Sequence, residues 1–156
     1  MRKRMIQEVR HTPLPTEQDW LNIENLAEVE ITSEDPAHPI EAALISGGGE
    51  GWRAAEPGTQ TVRLLFDQPQ RLRCIRVEFL EPDVERTQEY VLRWSPDRGQ
   101  AFRDIVRQQW NFGPDATSET EDHRVDLTGV AVLELSITPD IGAKRALATL
   151  ARMRIA

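Results

Sequence analysis

The sequence has few of the residues from which catalytic and metal sites are usually built. It contains one cysteine, Cys74, and three histidines among 156 residues. A single cysteine forms no disulfide within the chain, and no histidine stands at metal-ligand spacing from a second histidine or a cysteine. We therefore expect no metal and no cofactor. The lone thiol is typical of a reducing compartment, so we also expect a cytoplasmic protein.

Long apolar runs and an excess of positive charge are absent as well. No stretch approaches the roughly 20 apolar residues that cross a bilayer, and the basic start MRKR is not followed by the apolar segment of a secretory signal. The 26 acidic residues outnumber the 19 basic ones, which leaves a net charge of −7. Because this charge repels phosphates and anionic lipids, we expect no nucleic-acid partner and no membrane partner.

A glycine-rich stretch, ALISGGGEGWRA at 43–54, raises the question of phosphate binding. Gly49, Gly51 and Ala54 fit the G-x-G-x-x-A pattern of dinucleotide-binding proteins. That pattern works where the glycine turn leads into a helix, whose N-terminus holds the phosphate. Here a Pro-Gly pair follows instead of a helix, and Glu50 adds negative charge. We therefore predict that the glycines serve a tight connection with positive φ.

The dominant pattern along the chain is a period of two. Apolar and polar residues alternate in five runs, at 26–31, 61–66, 75–79, 90–94 and 131–137. This alternation indicates half-buried antiparallel strands with one face toward water. The turn residues of SPDRGQA join the fourth run to an extended segment over 102–110, which predicts a hairpin.

The stretches of sequence that are typical of a helix are short. Thr16 and Asp19 have the spacing of a capping box, which predicts one helical turn at 16–21. The final stretch ALATLARMRIA fits both a helix and a strand, and we favour a strand that closes a sheet. Because no long amphipathic helix separates the strands, the sequence predicts an all-β sandwich or barrel. The length suits one domain, with residues 1–25 as an extension packed on a sandwich of residues 26–156.

Catalytic motifs are not recognisable. No serine stands in a G-x-S-x-G elbow, and no Gly-Lys-Ser/Thr step occurs. The acidic runs at 33–36, 81–85 and 119–122 are typical of solvated loops. Carboxylates that only folding brings together stay an open alternative. We expect a protein that is not an enzyme.

Several stretches of the sequence occur in a recognisable order. VEITSEDPAHPIEAALISG precedes GEGW, TVRLLFDQPQRLRCIRVEFL follows, then YVLRWSPDRGQAF, and finally VLELSITP before ALATLARMRI. In this order they resemble the discoidin, or coagulation-factor type C, domains of the galactose-binding-domain-like jelly rolls. The resemblance spans residues 29 to 155. It implies an antiparallel jelly-roll β-sandwich of about eight strands with at most short helical turns, and ligand binding through loops at one end.

The resemblance also places the binding loops, at 33–39, 52–58 and 80–87. Sugar-binding members use polar groups for the hydroxyls of a pyranose and an aromatic ring for its apolar face. The candidates in these loops are His38, Trp52, Arg53, Glu56 and Arg86. Plainer alternatives stay open: a turn cap for His38, a core position for Trp52, and ordinary surface charges for the two arginines.

Two further candidates lie in RQQWNFGPD. Trp110 and Asn111 stand at the end of a strand, just before a Gly-Pro turn. From there they would either project into a loop and bind ligand or cover the open end of the sandwich.

The sequence departs from the family pattern at positions that serve calcium binding and lipid binding in other members. Ser46 and Gly47 stand where many members have an Asp-Gly that helps hold calcium, and Arg152 stands where an acidic ligand is common. A structural calcium ion is therefore not expected. The first loop, 33–39, lacks the aromatic spike of the lipid-binding members.

Three hypotheses follow, in order of preference. The first is a non-catalytic ligand-binding module, with carbohydrate as the ligand. The second is a protein-interaction domain or assembly subunit without a small ligand. The third is an enzyme, which would need a deep pocket with at least two converging ionisable groups. The sequence leaves the oligomeric state open.

Overall fold

A computed structural model describes residues 1–5, 13–45, 49–142 and 145–156. Ser46 and Gly47, which carry the argument about calcium, lie outside the described residues. In the part of the chain that is described, no helix is long and apolar enough to cross a membrane.

Strands dominate the described chain, and the two helices are each a single turn. The elements are α1 (Ile23–Leu26), β1 (Ala27–Ile31), α2 (Glu41–Leu44), β2 (Trp52–Pro57), β3 (Gln60–Leu80), β4 (Arg86–Ser95), β5 (Arg103–Phe112), β6 (Ser118–Thr138), β7 (Leu147–Leu150) and β8 (Arg152–Ile155). All the strand pairs are antiparallel. The all-β prediction is confirmed, including the hairpin of β4 and β5 and a strand at the end of the chain.

The two longest strands, β3 and β6, form one ribbon within the six-stranded sheet that also contains β1, β4, β5 and β8. They pair from Gln60 opposite Ile137 to Leu80 opposite Ser118, with an irregular register between Leu65 and Cys74. Before the irregularity β3 also pairs with β1, and after it β3 pairs with β8. The runs at 61–66 and 75–79, which the sequence presents as separate strands, are therefore two halves of one bent strand.

Both ends of this ribbon meet at the same end of the sandwich. The side chain of Arg86, at the start of β4, donates to Glu81, one residue past the end of β3. It also donates to the carbonyl of Pro139, one residue past the end of β6. The loops that leave the ribbon are thereby gathered at one place, which we call the loop end.

The core lies between the inner faces of the strands. The alternating apolar residues of the predicted runs are buried there, as shown by Val62, Leu64, Phe66, Ile75, Val77 and Phe79. The rings of Phe79 on β3 and Tyr90 on β4 are 5.1 Å apart across the core. Removal of this apolar surface from water is the main stabilisation of such a fold.

The prediction of a solvated loop at 119–122 is wrong. These residues belong to β6, and Glu119 lies opposite Phe79 with 2% of its surface exposed. Neither of its carboxylate oxygens has a hydrogen-bond partner among the described residues. Burial, with a smaller contribution from the nearby Glu121 carboxylate, raises the pKa of Glu119 to about 7. Strand register with β3 decides the burial here, and a run of charges does not reveal it.

The tight connection predicted for the glycine-rich stretch is confirmed at Gly51. Its φ is +87°, and a Cβ at this position would lie 2.4 Å from the carbonyl oxygen of Leu150. Only glycine fits such an approach to β7. The backbone of Trp52 then enters β2, which pairs with β7, so no helix follows the glycines.

The segment before β1 lies against β8. Thr16 and Asp19 close a hydrogen-bonded turn, not a turn of helix. The Leu21 N–H donates to the carbonyl of Ile155 at 2.8 Å, and Arg154 donates to both oxygens of Glu17. The division of the chain at residues 25 and 26 stays a prediction.

Candidate functional site

A cleft of about 300 Å³ opens at the loop end. Its floor is the outer face of the small β2–β7 sheet, where Arg53 lies opposite Thr149. Its wall is the loop between β3 and β4. The lining residues are Arg53, Glu81, Asp83, Val84, Arg145, Ala146, Leu147 and Thr149.

The strand pattern of β2 explains why Arg53 faces this cleft. Trp52 and Ala54 point into the core, so the residue between them points outward. The backbone of Arg53 is held on both sides by the first loop: its N–H donates to the carbonyl of His38, and its carbonyl accepts from the N–H of Asp35. The Arg53 guanidinium therefore extends from a fixed backbone.

Two of the three loops predicted from the sequence contribute side chains to the cleft. The third forms hydrogen bonds with the backbone of a lining residue. Loop 52–58 supplies Arg53, and loop 80–87 supplies Glu81, Asp83 and Val84. Loop 33–39 supplies backbone contacts to Arg53. The loops are thus brought together at one end, which is the arrangement that ligand binding requires.

Charge is distributed unevenly over the cleft. The carboxylate of Glu81 accepts from the buried guanidinium of Arg86 at 2.8 Å, so this acid is already neutralised. In the described structure, the side chains of Arg53 and Arg145 have no hydrogen-bond or ion-pair partner. Asp83 is exposed at the rim. The cleft consequently offers two free cations and one free carboxylate.

His38 does not line the cleft. Its ring Nδ1 is 3.8 Å from the carboxylate of Glu50, a contact that becomes an ion pair only when the ring is protonated. Its carbonyl, in contrast, contacts Arg53. The structure therefore gives the His38 backbone a supporting role, and ligand binding by its imidazole stays a prediction.

Trp52 is a core residue. It is 1% exposed, and its indole N–H donates to the carbonyl of Ser33 at 3.1 Å. Of the two alternatives for this residue, the core position is the one the structure shows. The ring has no free face for a sugar.

Arg86 is not a surface charge, and that alternative is wrong for this residue. Its side chain has no exposed surface. Besides Glu81 and Pro139, it donates to Gln88 and to the hydroxyl of Thr149. Arg86 therefore links the loops beneath the cleft.

The other predicted residues lie apart from this cleft. Glu56 is exposed near the end of β2, beyond the cleft lining. Trp110 and Asn111 line a separate depression of about 360 Å³ at the end of β5. The indole N–H of Trp110 is buried without a partner, whereas Asn111 accepts a hydrogen bond from Thr87. Their roles as ligand contacts stay predictions.

A second cleft of about 300 Å³ lies under the segment before β1, next to Trp20. The guanidinium groups of Arg76 and Arg154 lie over the Trp20 ring, at 5.0 and 5.8 Å from its centre. Arg154 is also paired with Glu17. Because the aromatic and charged groups here already contact one another, this cleft is the weaker candidate.

The reasoning from sequence missed the contribution of the segment before and within β7. Arg145, Leu147 and Thr149 line the cleft, and none was singled out. A signal was present, since Pro139 ends the preceding strand and a polar segment follows it to the next strand.

The fold is that of galactose-binding-like jelly-roll modules. CpGH89CBM32-5 from Clostridium perfringens, solved with GalNAc-β-1,3-galactose, is 18% identical, with 88% of this chain and 99% of that one covered and a TM-score of 0.62. A pectin-binding carbohydrate-binding module is 15% identical over 83% of this chain and 89% of its own, with a TM-score of 0.62. The family 32 module of C. perfringens NanJ, solved with galactose, is 13% identical over 87% and 96%, with a TM-score of 0.61.

These similarities confirm the jelly-roll sandwich expected from the discoidin-like order of motifs. Neither a family model nor a curated protein matches the sequence. At such low identities the likeness concerns the fold, and the site has to be argued from this chain's own residues.

Proposed function

We propose that this protein is a non-catalytic carbohydrate-binding module and that its ligand occupies the cleft between the β2–β7 sheet and the β3–β4 loop. The observation that carries the proposal is the convergence of loops 33–39, 52–58 and 80–87 on Arg53. The structural neighbours bind sugars according to their descriptions, which include galactose and pectin. Their fold is the fold of this chain.

The chemistry of the cleft suits a sugar ring. Arg53, Asp83 and Arg145 supply hydrogen-bond donors and acceptors for hydroxyl groups. Val84 and Leu147 supply apolar surface for the C–H face of the ring. This surface is aliphatic, so the module would bind without the stacked aromatic ring that the sequence suggested at Trp52, and weak affinity is expected.

Absence of catalysis is part of the proposal. Glu81 is committed to Arg86, and Asp83 is exposed at the rim, so the described lining of the cleft offers no buried, unpaired carboxylic acid to act as the general acid of a glycosidase. The cytoplasmic location stays a prediction that rests on the lone cysteine.

The test is a glycan array, followed by thermal-shift measurements and calorimetric titration with each positive glycan. Arg53→Ala is expected to weaken binding about tenfold or more, while the melting temperature stays close to that of the wild type, because the side chain has no partner among the described residues to lose. Arg124→Ala, an exposed arginine on β6, is the matched control and should bind normally. An array without a positive glycan would contradict the proposal.

A second candidate function rests on a separate observation. Four large apolar side chains, Leu80, Val84, Ile141 and Leu147, are 36–49% exposed near the loop end. Clustered exposed apolar residues are common in protein interfaces. The sandwich would then be an interaction or assembly subunit without a small ligand. Leu80→Asp with Ile141→Asp should disrupt its complex, and the glycan array should give no positive glycan.

A further inference from the structure

We infer that the sugar recognised by this cleft carries a carboxylate, as a uronic or sialic acid residue does. This inference rests on the proposed function and specifies its ligand class. The recognising groups are Arg53 and Arg145, which line one cleft from β2 and from the segment before β7.

Several arginines of the described chain are held in ion pairs, whereas Arg53 and Arg145 share one cleft and are not. In the part of the chain that the structure describes, seven arginines form ion pairs with carboxylates: Arg63, Arg71, Arg76, Arg86, Arg93, Arg107 and Arg154. The chain has 26 acidic residues, yet other described arginines, Arg124 among them, also lack an ion-pair partner, so the informative feature is that Arg53 and Arg145 share one cleft. Neither of these two has an ion-pair partner in the described structure, although Glu81 and Asp83 line the same cleft.

The adjacent acids do not cancel this positive charge. Glu81 is neutralised by Arg86 beneath the cleft floor. Asp83 is the remaining acid, and its carboxylate suits the hydroxyl groups of a sugar. Among its described lining residues, which include two free guanidinium groups and one free carboxylate, the cleft carries a local charge of about +1 within a protein of net charge −7.

Arginine suits this role because its planar group donates two parallel hydrogen bonds to a carboxylate. Arg53 is half-buried and its backbone is anchored to His38 and Asp35, so only its side chain has to be ordered when a ligand binds. Arg145 is exposed at the rim, where it can attract an anion at longer range. Arg53 would therefore bind the carboxylate of the sugar, and Arg145 would attract it from solution.

The experiment compares one glycan with and without its carboxylates. Calorimetry measures the binding of a uronic-acid oligosaccharide, its carboxyl-reduced counterpart, a sialylated oligosaccharide and a polyglutamate peptide of similar charge. Each is titrated into the wild type, Arg53→Gln, Arg145→Gln and the control Arg124→Gln. Thermal unfolding of each variant shows that it is folded.

The expected result is at least tenfold tighter binding of one acidic glycan than of its neutral counterpart, and little binding of polyglutamate. Arg53→Gln and Arg145→Gln should each remove about tenfold of the affinity for the acidic glycan, the size of one charge-assisted hydrogen bond, and should leave neutral binding nearly unchanged. Preference for a uronate over a sialate, or the reverse, identifies the source of the carboxylate.

Equal affinity for the acidic and reduced glycans, an acidic preference that survives both substitutions, or tight binding of polyglutamate would overturn the inference. Binding of neutral glycans alone would overturn it too, yet would support the proposed function. If no glycan binds at all, the proposed function itself fails.

Discussion

The guanidinium of Arg86 donates to the carboxylate of Glu81 at 2.8 Å, and the arginine side chain is wholly buried. Arg86→Met keeps much of the volume but leaves Glu81 with a buried, uncompensated charge. We expect a loss of about 3–5 kcal/mol in the free energy of unfolding, measured by urea denaturation. Arg86→Met combined with Glu81→Leu should recover part of the loss. A single variant as stable as the wild type would show that the pair is dispensable.

Gly51 combines a positive φ with contact to the backbone of β7. Gly51→Ala should cost about 1–3 kcal/mol from strain alone, and more because its Cβ would overlap the Leu150 carbonyl oxygen. Gly58→Ala has the strained φ but open space, so a smaller loss is expected. Gly49→Ala has no contact within 4 Å and should be neutral. Equal melting temperatures for all three variants would contradict this ranking.

Glu119 makes stability depend on pH. Burial raises its pKa from 4.5 to about 7 in the folded state. Below pH 4.5 the residue is protonated in both states and has no effect. Between pH 4.5 and 7 the unfolded chain ionises first, so stability falls, and above pH 7 the cost levels at about 3 kcal/mol.

Glu119→Gln should therefore be more stable than the wild type at pH 8, and the difference should disappear below pH 4.5. Urea denaturation across this range measures it. Glu28→Gln, an exposed position on β1, is the control and should show no such trend. A constant difference between Glu119→Gln and the wild type at all pH values would mean that the carboxyl does not titrate in this window.

Trp52 contributes to stability and not to ligand contact. Trp52→Phe removes the hydrogen bond to the Ser33 carbonyl and leaves that oxygen without its indole donor, which should cost about 1–3 kcal/mol. Glycan affinity, measured where the variant is fully folded, should stay the same. Loss of affinity at unchanged stability would restore the interpretation of Trp52 as a sugar platform.

The sandwich could be predicted from sequence because its signal is local. Alternation at 61–66 and 75–79 places Val62 and Phe79 in the core whichever strand they pair with. The bend that joins these runs into one strand could not be predicted, since it depends on the pairing of β3 with β6. The burial of Glu119 could not be predicted for the same reason, because it is set by pairing with β3, which is distant in sequence.

The site could be predicted in part for a similar reason. The loops at 52–58 and 80–87 were found, and with them Arg53. Arg145 and Leu147 were missed because β7 reaches this cleft only through its pairing with β2. The exposure of individual side chains could not be predicted from the sequence either. Trp52 and Arg86 were candidates for ligand contact in the predicted loops, yet both are buried.

The ribbon of β3 and β6 affects how the protein unfolds. β3 pairs with β1 over its first half and with β8 over its second half, and β6 pairs with β3 along both, so neither half of this sheet detaches without disrupting the ribbon. Opening should be all-or-none, with amide hydrogens of β3 and β6 exchanging at one common slow rate. Ligand bound at the loop end touches the segments where this ribbon finishes, and it should therefore slow exchange as far away as the bend.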